Sequence, residues 1–406
     1  MDLPVLWALI IGFALTMYAI LDGFDIGVGI LMLGRSNAKR RDEMINSVYP
    51  IWDGNETWIV LVGVGLFGGF PEAYSILLPA FYLPLIVMLL SIIARGVSLE
   101  FRFSARNNPK VWDTCFSVAS VLIAFTQGLV LGHFLEGIPI QAGQFAGTPW
   151  GFVSSFSVAV GLLVVGVYAR HGTYWLIVKA DQELERRMRH TARWLTPATG
   201  AWTAGCVLLF VLFVQAGFTS THLTGPLKFV LFTGLVGTWL TGWFTQARSL
   251  YAPFVSSIFL VAIGATIVYL YVWPYIIPPS LTLADAASEE SSQRVLLYGA
   301  LAVIPIILSY TTYGYYVFRG KSTAHYDTKR TQAEQHYLEN EQADRPSIER
   351  RSPFSVPTWG KVVVFIGWFI GFFVMVGMFG TSIATILLVG VLLTFIFSWA
   401  WHSRTN

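Results

Sequence analysis

Asp22 and Asp25 stand three residues apart in the stretch Asp22-Gly23-Phe24-Asp25-Ile26-Gly27-Val28-Gly29, inside an apolar run that extends over residues 5–33. An ionised carboxylate at membrane depth costs about 2.5–3.5 kcal/mol on insertion scales, so it must be paired, protonated or in contact with water. Counted back from the end of that run, Asp25 sits roughly 12 Å deep at about 1.5 Å per residue. Asp53, Glu100 and Asp113 lie at or near the ends of the next three apolar runs, and with Asp25 they approach the same side. Carboxyl groups clustered in this way suit proton entry from water into a low-dielectric slab. Arg95, in the stretch SIIARGVSLEFR, is the natural counter-charge near the end of the third run.

Each of these acids also has a plain structural reading. Asp53 follows Pro50 in YPIWDGNETW, and a proline with acids in the first turn is ordinary helix-start chemistry. Glu100 and Asp113 flank a basic joint and could pair with Arg102, Arg106 or Lys110. Asp22 and Asp25 share one helical face, and Gly23, Gly27 and Gly29 thin the same helix so that a neighbour can approach closely. Among seven histidines only His171 falls inside an apolar run; His190, His325, His336 and His402 lie in cytoplasmic segments, and His133 and His222 at outer joints. A transmembrane b-type haem usually recruits histidines from facing helices, so one buried histidine gives it thin support. Beside Arg170 and Gly172, His171 reads better as a hydrogen-bonding bridge between helices than as a metal ligand. Cys115 and Cys206 form no C-x-x-C pattern and argue against a disulfide framework or thiolate metal site.

The elements that must position these groups follow from composition. With 55% hydrophobic and 12% charged residues and a mean hydropathy of +0.61, the chain cannot hide its apolar surface in a water-soluble core; it reads as an all-α polytopic membrane protein. Spans are expected near residues 5–33, 51–70, 76–98, 111–131, 152–178, 197–219, 229–247, 254–275 and 295–318, with two more near 361–379 and 382–401. The first run is too long for a signal-peptide core and is read as a retained helix. Lys and Arg crowd alternate joints, at 35–41, 102–110 and 179–193, whereas 71–75 and 132–150 carry none. The positive-inside rule then puts the N-terminus outside and the C-terminus in the cytoplasm. Residues 1–319 form the nine-span core, 320–358 a polar cytoplasmic linker, and 359–406 a terminal hairpin whose tryptophans gather near its ends.

Four stretches carry a resemblance: DGFDIGVG in the first span, YPIWDGNETWIV opening the second, RGVSLEFR closing the third and HGTYWL in the fifth. Together they resemble subunit II of the cytochrome bd family of quinol oxidases, including its cyanide-insensitive members, over about residues 1–322. The resemblance implies nine core spans arranged as two four-helix bundles plus a peripheral helix. It also implies a haem-free chain that pairs with a homologous subunit I holding haems b and d, or haems b alone. Such a complex oxidises quinol, reduces dioxygen to water in the respiratory chain, and draws its protons from the cytoplasm. Carried onto this sequence, the cytoplasmic proton route maps to Trp52, Asp53 and Glu100, with Asp25 deeper and Asp113 as an addition; Asp22, Arg95 and His171 would give polar support within the membrane. Glu100 stands where the family often has Asp, in R-P-V-G-F-D-Y-R, which keeps the carboxylate with one more methylene.

The resemblance further implies a bacterial inner-membrane location, a structural quinone in a lipid-facing groove, and small single-helix accessory subunits as partners. The terminal hairpin could cover the surface that such a subunit covers elsewhere. The bilayer itself, and no nucleic acid, completes the expected partners. The competing class is an ion-coupled secondary transporter or channel, because intramembrane carboxylates also mark coupled transport. A third reading makes the chain a scaffold for subunit I. The chain lacks paired Gly/Pro-interrupted short helices in matching halves, which weighs against a transporter.

Overall fold

A computed structural model describes residues 2–33, 37–104, 109–214 and 225–322. The expected terminal hairpin and all but the first residues of the linker lie outside them. Eleven helices run through the described residues: α1 Leu3–Met32, α2 Ala38–Val48, α3 Trp52–Gly69, α4 Pro71–Ala80, α5 Tyr82–Ser104, α6 Pro109–Glu136, α7 Ser155–Lys179, α8 Gln182–Leu209, α9 Gly225–Thr245, α10 Ala252–Val272 and α11 Glu290–Val317. Seven of them, α8 counted with the π turn Phe210–Val214 that continues it, are long and apolar enough to cross a membrane: α1, α5, α6, α7, α8, α10 and α11. The expected spans near 51–70 and 229–247 fall on α3 and α9. The apolar part of α9, Phe229–Thr245, is shorter, and α3 carries Asp53 and Glu56 in its opening turns.

Three expectations are corrected. The span expected near 76–98 breaks at Ala80–Phe81 into α4 and α5, between Pro79 and Pro84, because a proline removes a backbone donor and crowds the preceding turn. The basic joint 179–193 is largely helical and runs without interruption into the sixth span as α8, capped by Asp181, whose side chain accepts from the Glu183 amide. The chain is also not purely helical. Two small antiparallel hairpins, β1 Ile140–Gln141 with β2 Gln144–Phe145 and β3 Tyr275–Ile277 with β4 Leu281–Thr282, close the loops after α6 and α10.

The other expected joints start and stop as their residues dictate. The Asn37 side chain caps α2 by accepting from the Arg40 amide at 3.2 Å, and Ser154 and Ser157 form a capping box at the start of α7. The basic joints gather at one end. Arg40 bonds Glu183 at 2.5 Å, Arg102 pairs with Asp42, Arg189 donates to the Ser249 carbonyl at 3.0 Å, and Lys179 holds the Gly320 carbonyl at 2.5 Å. Burial at this end pushes the Glu43 carboxyl above its ordinary range, although the Asp181 amide donated to it opposes the shift.

Helix α1 runs through the middle of the fold, packed by α3, α6, α7, α10 and α11. It meets α7 backbone to backbone. A Cβ on Gly27 would stand 1.9 Å from the Tyr168 carbonyl oxygen, and one on Gly172 would stand 2.5 Å from Gly27. Only glycine at both positions permits that crossing. Just above it, Phe24 stacks on Trp175 at 4.2 Å and Phe254 of α10 stacks on His171 at 5.1 Å, so α1, α7 and α10 share one aromatic core.

Candidate functional site

The opening turns of α3 carry the transition from exposed to buried acid. Trp52 at their start is half-buried and covers α5, its ring 3.1 Å from where a Cβ on Gly96 would stand. Asp53 is exposed. Two and three residues later, Asn55 and Glu56 turn inward toward α1 and α5. Asn55 Nδ2 donates to Asp25 Oδ2 at 2.7 Å and to the Leu21 carbonyl at 3.2 Å, while its Oδ1 accepts from the Tyr315 hydroxyl of α11 at 3.0 Å. Asp25 is thus fully buried and held by an amide; among the described residues no cation is bonded to it and its Oδ1 has no hydrogen-bond partner.

Arg95 belongs to its neighbours instead. Its guanidinium donates to Asp22 Oδ1 at 2.7 Å and is also paired with Glu56. Arg95, expected as a counter-charge within the membrane, pairs with Asp22, one turn from Asp25 on the same helix. Buried Asp22 and Asp25 and partly exposed Glu56 thus gather near one guanidinium, which bonds Asp22 and Glu56. At low dielectric such a surplus is expensive unless the cluster holds protons, so its charge depends on proton occupancy.

The remaining expected residues separate. Glu100 is exposed, its Oε2 accepting from the Tyr49 hydroxyl at 3.4 Å, at the same end of α5 as Trp52. Asp113 is buried between two arginines, with Oδ1 2.5 Å from Arg102 Nε and Oδ2 2.6 Å from Arg41 Nε. That arrangement ties α6 to α2 and α5 and matches the ion-pair reading. His171 bridges helices: its Nε2 lies 2.9 Å from the Ile20 carbonyl of α1 and its Nδ1 2.6 Å from Ser257 Oγ of α10. The Nε2–H tautomer suits both contacts, donating to the Ile20 carbonyl and accepting at Nδ1. His133, read as a joint residue, is buried in the last turn of α6, 3.6 Å from Glu136.

Sequence reasoning missed Glu56, Asn55 and Tyr315. A signal for the first two was present, because YPIWDGNETW places them on the same opening turns as Asp53. Tyr315 gave none, since its partner lies 260 residues away.

The fold and site are those of a membrane-embedded helical protein with acidic side chains gathered around one arginine. Comparison narrows it. Residues 3–318 match the family described as cytochrome bd terminal oxidase subunit II. The chain is 28% identical to the cytochrome bd-I ubiquinol oxidase subunit 2 of Escherichia coli (strain K12), over 79% of this chain and 95% of that one. It is 26% identical to the cytochrome bd ubiquinol oxidase subunit 2 of Bacillus subtilis (strain 168), over 77% and 95%. A solved bd oxidase from Geobacillus thermodenitrificans shares the fold at a TM-score of 0.62 and 18% identity, covering 76% of this chain and 96% of that one. The chain belongs to the cytochrome bd terminal oxidase subunit II family. It is a bacterial inner-membrane subunit of an oxidoreductase, and the transporter reading falls away.

Proposed function

We propose that the chain is the haem-free subunit II of a bd-type quinol:oxygen oxidoreductase and supplies part of the proton-uptake route for oxygen reduction to water. It pairs with a subunit I that carries the haems, and the complex takes quinol and oxygen as substrates. Residues 1–319 would provide nine spans, with α3 and α9 completing the seven, as two four-helix bundles plus a peripheral helix. The N-terminus would lie outside and the basic end in the cytoplasm, with residues 320–358 as linker. Residues 359–406 would form a hairpin over a surface that a single-helix accessory subunit covers elsewhere, and a quinone would serve as a structural element in a lipid-facing groove.

The observation that carries the proton reading is the gradation along α3. Exposed Asp53 is followed within one turn by Glu56, whose side chain keeps 17% exposure, and Glu56 shares Arg95 with fully buried Asp22. Glu100 and Trp52 stand at the mouth, Asn55 orients the carboxyl of Asp25 at the inner end, and Asp113 acts as a tie between helices. Protons would enter at Asp53 or Glu100 and be held by the buried cluster, with Arg95 compensating its charge.

Asp53→Asn keeps the size and removes the exchangeable proton. It should slow oxygen consumption by the purified complex by roughly tenfold or more while leaving its haem absorbance unchanged. Full turnover at normal haem content would leave Asp53 with its helix-start role alone.

A further inference from the structure

Within the proton-uptake reading, on which this assignment rests, we propose that Tyr18, fixed by Gln127 and Tyr168, is a positioning residue that keeps Asp22 a carboxylate, so that Asp25 holds the exchangeable proton of the cluster. Tyr18 stands one turn from Asp22 on α1, 2% exposed, and its hydroxyl acts on the Asp22 carboxyl. Gln127 of α6 reaches over to it. Its Nε2 donates to the Tyr18 hydroxyl at 2.9 Å, and its Oε1 accepts from the Tyr168 hydroxyl of α7 at 2.9 Å. Tyr168 is pressed against α1 in turn, its ring 2.8 Å from where a Cβ on Gly23 would stand. One amide, engaged at both ends, thus ties α1, α6 and α7 together and fixes the Tyr18 hydroxyl.

A phenol carries one proton of its own and accepts others. Because the Gln127 amide donates to the Tyr18 oxygen, the Tyr18 proton is left for another acceptor, and the charge on Asp22 favours this arrangement over a reversed amide. Asp22 Oδ1 is taken by Arg95 at 2.7 Å, whereas Oδ2 is unengaged among the described residues and is free to take the phenol proton. A guanidinium and a phenol directed at one carboxyl both favour its charged form. Asp25, one turn along, has an amide donor on one oxygen and nothing on the other. A carboxyl so placed away from water is stable as the acid. The other ionisable groups around the two aspartates are Arg95 of α5, Glu56 of α3 and Tyr315 of α11. A proton arriving along α3 therefore exchanges with Asp25 and leaves the pair of Asp22 and Arg95 intact.

Infrared difference spectra between the wild-type complex and its variants, at neutral pH in water and in heavy water, read each protonated carboxyl by its C=O stretch. Asp25→Asn should remove one deuterium-sensitive band, and Asp22→Asn should remove none. Tyr18→Phe, which keeps the ring in place, should add a band that a further Asp22→Asn removes. It should also slow oxygen consumption roughly threefold or more at unchanged haem content, because a second acid then competes for the incoming proton. Gln127→Leu, which frees the phenol to turn away, should add the same band. Loss of a band with Asp22→Asn alone, or a Tyr18→Phe spectrum without a new one, would overturn the proposal, and neither result requires Asp25→Asn to assemble. The bands do not depend on turnover, so they test the assignment separately from the uptake reading, which Asp53→Asn tests.

Discussion

Replacing Arg95 by glutamine removes the one cation that, among the described residues, is bonded to the carboxyl cluster. The arginine side chain is 1% exposed and Asp22 0%, whereas Glu56 keeps 17%. Removing one partner of a fully buried pair costs about 3–5 kcal/mol, chiefly because the other charge is left uncompensated. At about 2 °C per kcal/mol for a large chain, the midpoint of thermal unfolding should fall by roughly 6–10 °C. The difference in exposure decides where that cost resides. Asp22 cannot reach water, so adding Asp22→Asn to Arg95→Gln should restore more than half of the loss. Glu56 can be hydrated in place, so adding Glu56→Gln should restore little. Tryptophan fluorescence of the purified complex on heating, with haem absorbance as an assembly control, measures all three variants. A single variant within about 1 kcal/mol of wild type, or better rescue by Glu56→Gln than by Asp22→Asn, would refute the account of the cluster.

Two further outcomes follow from packing and charge. Gly172→Ala places a Cβ 2.5 Å from the α1 backbone and should cost about 1–3 kcal/mol or block assembly, while Gly264→Ala, with nothing within 4 Å, should be neutral or slightly stabilising in the same thermal assay. Glu43, its carboxyl pushed up by burial, contributes stability that is complete below its unfolded pKa and is lost as pH rises through the folded value. Glu43→Gln, which retains the acceptor for the Asp181 amide, should therefore gain stability relative to wild type from pH 4 to pH 7, and a pH-independent difference between the two unfolding curves would contradict this.

Much of the site was legible because hydropathy makes a polar residue in an apolar run conspicuous. Asp22, Asp25, Arg95 and His171 all stood out in that way, and all are buried. The glycines beside Asp25 announced a close helix crossing, and Gly27 and Gly172 form it. Partners were harder to read. The rotation of α5 about its axis decides whether Arg95 reaches Asp22 or Asp25, and no residue type encodes that rotation. Glu56 and Asn55 were masked by Asp53, whose place near a helix start already had an ordinary explanation. The length of α8 was missed because its first turns are charged, and charge lowers hydropathy without lowering helix propensity. The break between α4 and α5 follows from Pro79 and Pro84, yet the apolar residues around them read as one span.

The ion pair between Asp22 and Arg95 spans 73 positions in the chain, and this separation reaches back to biosynthesis. At roughly 5–20 residues per second, the first helix emerges some 4–15 seconds before its counter-charge. It must partition into the bilayer while Asp22 still lacks the arginine that pairs with it. Its other residues can carry that burden, since the helix has a mean hydropathy of 2.1 over its best window and each leucine or isoleucine favours insertion by about 0.3–0.6 kcal/mol. Substitutions that thin this apolar surplus would therefore act at the translocon, before any catalytic consequence could be expressed.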